Sequence, residues 1–341
     1  MKLPGDQVVR FRSALQGASV CVTGGAGFIG GHLVDALVSV GARVTVIDDL
    51  SNSSAEHLAD LIDLEPDRVR FVHGSILDQH ALADAIDDGT SIVFHLAAIG
   101  SVPRSLEQPA RTWDVNATGV LRVLERARNV NARRVVFSAS SSVYGDAVEL
   151  PKIEDMPASP TSPYGASKAA AEALVTSWAR SFGLSTVNLR YFNIFGPRQP
   201  ADSAYAGVVA AFGKALLAGQ SPIIYGDGSQ TRDFTYVSNA VLANLLAATS
   251  PRPLAGEIAN IGTGRRVSVN ELAEAMARAL GCPHIQPEYR PARAGDVLHS
   301  QADISRARDL LDFEPIQSLE EGLLETVEWF RAAFSAGGSN A

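Results

Sequence analysis

Thr23-Gly24-Gly25-Ala26-Gly27-Phe28-Ile29-Gly30 is the stretch on which the fold turns. It follows the apolar, β-branched run Ser19–Thr23 and opens a helical pattern from Phe28 to about Val40. Gly24 permits a tight bend, Gly27 leaves the backbone approachable, and Gly30 lets the helix pack close to a sheet. Further strand-like runs follow at Arg43–Ile47, Arg70–His73, Ile92–His95, Arg134–Ser138 and Thr186–Arg190. Helical stretches lie between them, around His57–Leu64, Ala81–Ile86, Asp114–Arg128 and Tyr164–Phe182. Short strands alternating with helices predict an α/β fold, a doubly wound parallel sheet covered on both faces.

The alternation weakens after Arg190. Gly196 to Ala204 reads as a loop. It is followed by a helix at Val208–Leu217, a strand at Ile223–Tyr225 and the turn Gly226-Asp227-Gly228-Ser229. Next come a helix at about Asn239–Ala248, a strand at Glu257–Ile261, a helix at Val269–Leu280 capped by Ser268, and a last helix at about Leu319–Phe330. These elements predict a smaller C-terminal α/β lobe interleaved with the first. Residues 1–190 plus about 230–262 form the larger unit, about 191–229 plus 263–335 the smaller, and 336–341 a tail.

The composition narrows the function. The 341 residues carry a formal charge of −8 and no Lys/Arg run, which argues against a general nucleic-acid binder. Two cysteines, Cys21 and Cys282, build neither a disulfide framework nor a zinc site, and no metal is expected. Met1 to Gln16 has no stretch of signal-peptide type, and every apolar run is cut by Gly, Pro or charge before it could span a membrane. The expectation is a reduced, cytoplasmic protein.

Asp48 ends the second strand, about 20 residues beyond the glycine turn, where an acid bonds the ribose hydroxyls of a dinucleotide. The turn itself suits a pyrophosphate, since the N-terminus of the following helix offers unpaired N–H groups. A carboxylate at Asp48 repels a 2′-phosphate, so the pair reads as a Rossmann site for NAD rather than NADP. Tyr164 and Lys168 lie four apart at the start of a helix and share a face. An ammonium beside a phenol favours the phenolate, which could take a proton from a hydroxyl while hydride leaves the same carbon. Ser140, just past a strand, could bond that hydroxyl.

Taken with Ser138-Ala139-Ser140-Ser141-Ser142-Val143-Tyr144-Gly145 and Arg190-Tyr191-Phe192-Asn193, these motifs resemble the extended short-chain dehydrogenase/reductases. The resemblance lies in the branch of NAD-dependent sugar-nucleotide epimerases and dehydratases and runs from about residue 18 to about 330. It implies Ser140, Tyr164 and Lys168 as the catalytic set. It places Asp48, Asn52 and Ser53 near the adenosine, and adds Ile76, Leu96, Ala97, Ala98, Asn116 and Tyr191 to the cofactor set, with Phe192 beside the nicotinamide. For a nucleoside-diphosphate sugar it implies Ser101, Val102, Ser141, Ser142 and Asn193, Val208-Val209 against the uracil, and Tyr225. Arg232 and Arg293 would hold the diphosphate, as guanidinium forks match phosphate oxygens, and Asp296 the ribose. A homodimer through the Asp114–Arg128 and Tyr164–Phe182 helices is implied as well.

His95-Leu96-Ala97-Ala98-Ile99-Gly100-Ser101-Val102-Pro103-Arg104-Ser105 and Arg293-Ala294-Gly295-Asp296-Val297-Leu298-His299-Ser300 look like segments of bacterial UDP-N-acetylglucosamine 4-epimerases. In that family a small residue at the Ser300 position leaves room for an N-acetyl group. The implied reaction is interconversion of UDP-GlcNAc and UDP-GalNAc, with UDP-glucose and UDP-galactose as further substrates, through a transient 4-keto sugar. The alternative is a UDP-glucuronate 4-epimerase. A dehydratase or decarboxylase is disfavoured because Ser141 and Ser142 stand where those relatives carry an acid. A non-catalytic NAD-binding protein is disfavoured by the presence of Tyr164 and Lys168. The sequence departs from the family at Ser75, where an acid usually bonds the adenine.

Overall fold

The computed structural model describes residues 3–200, 207–292 and 297–337. Seven parallel strands form the central sheet: β1 (Ser19–Thr23), β2 (Arg43–Asp48), β3 (Val69–His73), β4 (Ile92–His95), β5 (Arg134–Ser140), β6 (Thr186–Tyr191) and β7 (Ala255–Ile261). Their order is β7-β6-β5-β4-β1-β2-β3. Cys21 of β1 sits between Thr45 of β2 and Val93 of β4, so chain direction across the sheet diverges at the β1/β4 pair. That divergence opens a crevice beyond the carboxyl ends of the strands, where ligands bind in such sheets.

Burial on both faces explains the strand sequences. β4 and β6 are buried along their whole length, and they read as continuous runs rather than alternating ones. Val20, Val22, Val44, Val46 and Phe94 meet the helices Phe28–Ser39 and Val237–Thr249 on one face. Cys21, Val93, Val135 and Phe137 meet Gly119–Asn129 and Pro163–Phe182 on the other. Cys21 is fully buried and its thiol is pushed well above the ordinary range by desolvation, so it acts as a small core residue.

The second lobe packs the helices Val208–Leu217, Val269–Leu280 and Leu319–Gly337 around Phe212, Leu272, Met276 and Leu323. Ser268 and Glu271 form a capping box at the middle helix, as a serine there predicts. Two short ribbons complete the lobe: Ile223–Tyr225 with Glu288–Arg290, and Thr231–Arg232 with Val267–Ser268.

The stretch assigned as 263–335 does not pack as one piece. Ala307, Leu311 and Phe313 join the core of the large sheet, because the Ser305–Leu311 helix folds back against β7. Other elements escape pattern reading. Gly5–Leu15 is a helix that buries Phe11 and Leu15 in the same core. The stretch read as one helix from Asp114 is two pieces, a π turn at Asp114–Thr118 and the helix Gly119–Asn129, and a short helix at Pro109–Trp113 precedes them. Among the described residues, no helix is long and apolar enough to cross a membrane.

Candidate active site

The glycine turn is built by close approach. Gly24 has φ +73°, and a Cβ there would lie 2.6 Å from the Ala97 nitrogen. A Cβ on Gly30 would lie 2.1 Å from the Gly24 carbonyl oxygen. These clashes reserve both positions for glycine. No side chain caps the helix that starts at Phe28 and Ile29, and its first turn carries no acid. Its N-terminus therefore presents N–H groups and positive potential to an anion.

Asp48 extends this cradle. Its carboxylate accepts from Ala26 N–H at 3.1 Å, Leu50 N–H at 2.9 Å and the Ser53 hydroxyl at 3.0 Å. It thus binds the glycine turn to the loop that carries Ser53 and Asn52. Asn52 in turn accepts from Arg104 on the helix Val102–Glu107, which Ser101 caps at 3.2 Å.

The loop after β4 is held from two sides. Ala97 N–H donates to Thr23 Oγ1 at 3.2 Å, and the same hydroxyl lies 2.6 Å from His95 Nδ1. Burial, helped by the charge of Lys168, lowers His95 to about 3, so its ring is neutral. Leu96, Ala97 and Ala98 lead to Ile99, whose N–H donates to Asn116 Oδ1 at 2.8 Å. Asn116 Nδ2 donates to the Ile99 carbonyl at 3.2 Å and to Ser167 Oγ at 3.1 Å. The π turn is what sets Asn116 inward, a use of such turns common at functional sites. Ile76 packs beneath Gly119, and Ser75 accepts from Leu77 N–H at 3.2 Å.

Beside this cradle stand the three residues that can move a proton. β5 ends at Ser140, whose hydroxyl accepts from Ser142 N–H at 3.2 Å and starts the short turn Ser141–Tyr144. Tyr164 sits in the first turn of the Pro163–Phe182 helix, opened by Ser162. Its phenol faces the Ser140 side chain, which opposes the upward shift that burial gives the phenol. Lys168, one turn on and buried, donates to the Ser138 carbonyl at 2.8 Å and lies 4.8 Å above the Phe137 ring. Desolvation lowers Lys168 to about 8, against the upward pull of Glu172. The Ser142 hydroxyl is buried and meets no partner among the described residues.

One electrostatic expectation is corrected. Spacing alone predicts that Lys168 lowers the Tyr164 pKa. In the folded chain burial shifts the phenol upward, with Ser140 opposing, and the Lys168 ammonium is turned to the Ser138 carbonyl. The chain by itself holds Tyr164 as a neutral phenol.

On the substrate side the placements are mixed. Phe192 is fully buried against Tyr144. Tyr191, counted in the cofactor set, instead turns its side chain into the core, where its hydroxyl accepts from Ser138 at 3.0 Å and Asn244 at 2.5 Å. Asn193 has φ +35° and accepts at its carbonyl from Thr235 N–H at 3.2 Å. Val208 and Val209 open their helix, with Val209 buried in the second core. Tyr225 ends its strand beside Arg290. Arg232 donates to the Thr231 and Leu298 carbonyls at 2.9 and 3.2 Å. Ser300 is buried beside it, its N–H donating to Thr231 O at 3.0 Å. Arg293 and Asp296 lie outside the described residues.

Residues 20–262 match the model of the NAD dependent epimerase/dehydratase family. The chain belongs to that family. The epimerase/dehydratase relatives include a UDP-glucose 4-epimerase of Mycolicibacterium smegmatis, 41% identical over 91% of this chain and 97% of that protein. A solved UDP-N-acetylglucosamine 4-epimerase from Methanobrevibacter ruminantium, in complex with UDP-N-acetylmuramic acid, aligns with TM-score 0.87 and 40% identity over 94% of this chain and all of that one. A UDP-glucose 4-epimerase from Thermotoga maritima, solved with UDP-glucose, gives TM-score 0.86 and 39% identity over 93% of this chain and 99% of that one. The cofactor of this family is NAD, and the cradle fits it: a glycine turn that excludes side chains, an uncapped helix start and a carboxylate beyond it.

Sequence reasoning misses the supports of the site. The buried Arg190–Glu172 pair, bonded twice at 2.9 and 2.8 Å, lies one turn beyond Lys168. No spacing announces it, because its partners come from different elements. Asp233 is a second such residue.

Proposed function

We propose that this epimerase/dehydratase family member is a UDP-sugar 4-epimerase that acts on UDP-GlcNAc and UDP-GalNAc. The observation that carries the reaction type is the convergence of Ser140, at the end of β5, with Tyr164 in the first turn of its helix and Lys168 one turn behind, bonded to the Ser138 carbonyl. A phenol and a hydroxyl in contact form a proton-transfer unit for a secondary alcohol. NAD, when bound, would supply the hydride acceptor and donor for the sugar C4, and its ring cation would favour the phenolate that the chain alone does not.

The residues then divide the work. Gly24, Gly27 and the N–H groups at Phe28–Gly30 hold the pyrophosphate, and Asp48 with Ser53 holds the adenosine ribose. Tyr164 removes the 4-hydroxyl proton and restores it after the sugar turns, while Ser140 keeps that oxygen aligned. Arg232 holds the diphosphate through the turn, so that remote binding keeps the ketone in place. Phe192, buried against Tyr144, would stand behind the nicotinamide side of the site. The N-acetyl preference rests on Ser300, a small side chain buried beside Arg232, and on the similarity to the UDP-N-acetylglucosamine 4-epimerase. A homodimer through the Gly119–Asn129 and Pro163–Phe182 helices belongs to this reading, and light scattering tests it.

The test is to incubate the purified protein with UDP-GlcNAc, UDP-glucose and UDP-glucuronate separately and resolve the C4 epimers. UDP-GalNAc should form fastest. Conversion of UDP-glucuronate alone would replace the substrate assignment, and no epimer from any of the three would remove the reaction.

A further inference from the structure

Asp233 directly follows Arg232, and none of its surface reaches water. A carboxylate in such a place survives only if every lone pair is met. Here Oδ1 accepts from Thr263 N–H at 2.8 Å and the Thr263 hydroxyl at 2.7 Å. Oδ2 accepts from Gly264 N–H at 2.9 Å and Ala302 N–H at 3.2 Å. Its backbone carbonyl accepts from Asn193 Nδ2 at 3.4 Å. Burial raises its pKa, and those donors resist the shift.

The donors come from separate parts of the chain. Thr263 and Gly264 form the turn after β7. Ala302 lies two residues past Ser300. Around them the backbones have closed: a Cβ on Gly262 would sit 2.7 Å from the Ala302 Cβ and 2.9 Å from Asp233 Oδ2. Thr231, on the other side of Arg232, donates its N–H to Leu298 O at 2.9 Å and accepts from Ser300 N–H at 3.0 Å. The strand bearing Arg232 is thus fixed on both sides of the arginine to the segment that bears Ser300.

We propose that Asp233 is a positioning residue for the substrate diphosphate: its carboxylate locks the turn after β7 and the Ser300–Ala302 segment onto the strand that carries Arg232. It touches no substrate. It decides where the guanidinium stands relative to Ser300 and Asn193, and therefore how firmly the nucleotide is held while the sugar turns. This inference rests on the UDP-sugar reading of the site.

Asp233→Asn keeps the shape but turns an NH2 group towards N–H donors, so at least one backbone N–H loses its acceptor whichever way the amide faces. Coupling through a hydrogen-bonded network of this kind is about tenfold in affinity. Calorimetry with UDP alone, well below the melting temperature, should give an approximately tenfold weaker Kd in Asp233→Asn with NAD content unchanged. Thr263→Val, which removes one donor and leaves the carboxylate, should weaken UDP binding less. It replaces the first variant if that fails to fold. Wild-type UDP affinity in the soluble variant, with only the melting temperature lowered, would overturn the positioning role. Failure of the wild-type protein to bind UDP at all would overturn the UDP-sugar reading and this inference with it.

Discussion

Tyr164 and Lys168 have opposite problems. The phenol is held neutral by burial, and the ammonium is costly because it is buried. The first is a functional bottleneck. Tyr164→Phe removes the proton acceptor without disturbing the glycine cradle. Turnover should fall by about 10²–10⁴-fold, the usual worth of a placed acid–base group, while NAD stays with the protein through gel filtration. Activity within tenfold of wild type would exclude Tyr164 as the base.

Lys168 gives a prediction about pH. Its folded pKa of about 8 lies below the ordinary lysine value of 10.5. Between those values the unfolded chain binds a proton that the folded chain does not, so this group makes stability rise with pH there. Below about 8 the buried charge opposes folding in full. Lys168→Met should therefore melt higher than wild type at pH 7, and the gap should shrink as pH rises from about 8 towards 10. The variant should also lose activity. Melting curves at several pH values check the sign, and a gap that widens with pH refutes it.

The turn between β1 and the Phe28–Ser39 helix shows how a local sequence can be read with confidence of mechanism. Each glycine has a steric reason that follows from a strand feeding straight into a helix. Gly30→Ala would put a methyl carbon 2.1 Å from the Gly24 carbonyl. The helix must then move off the turn, with an overpacking cost of about 1–3 kcal/mol. The expected result is loss of bound NAD on purification and a lower melting temperature. Full NAD occupancy in that variant would show that the turn has slack the distances deny.

Arg134 illustrates what such reading does not reach. As a charge at the start of a strand pattern it looks like a surface residue. It is buried, donating to the carbonyls of Ala247, Ser250 and Arg252 at 2.7, 2.9 and 2.8 Å and to Ser185 at 3.1 Å. It closes the carboxyl end of the wholly buried helix Val237–Thr249 from across the sheet. Arg134→Met should cost about 3 kcal/mol through unpaired carbonyls, seen in denaturant melts, with kcat unchanged at low temperature. The contrast is physical. Strands, the glycine turn and the Tyr164–Lys168 spacing are encoded over a few neighbouring residues. Arg134, Glu172–Arg190 and Asp233 take their meaning from partners tens of residues away. The Asp114–Thr118 π turn lies between these cases: its residues, Ala117 apart, are weak helix formers, yet the inward Asn116 declares itself only through Ile99 and Ser167.

The interleaving of the two lobes governs how the molecule must fold. A chain ending after Tyr191 would contain six of the sheet strands and every residue of the proposed proton-transfer unit. It would lack β7, leaving β6 as an edge whose six residues are all buried in the intact protein. It would also lack the helix Val237–Thr249, which covers Val136, Leu189 and the Phe28–Ser39 helix with a side buried from Val237 to Ala248. A sheet edge and face left without cover pair with other chains rather than with water. The fragment 1–191 should therefore be insoluble or expanded and should not bind NAD, although the glycine turn and Asp48 are all in it. Co-expression with the remainder, 192–341, should recover NAD binding if the break falls where the chain tolerates it. A soluble 1–191 fragment that binds NAD would mean that the cradle is an autonomous unit. The C-terminal contribution to the sheet would then serve only to bring the diphosphate-binding segments over it.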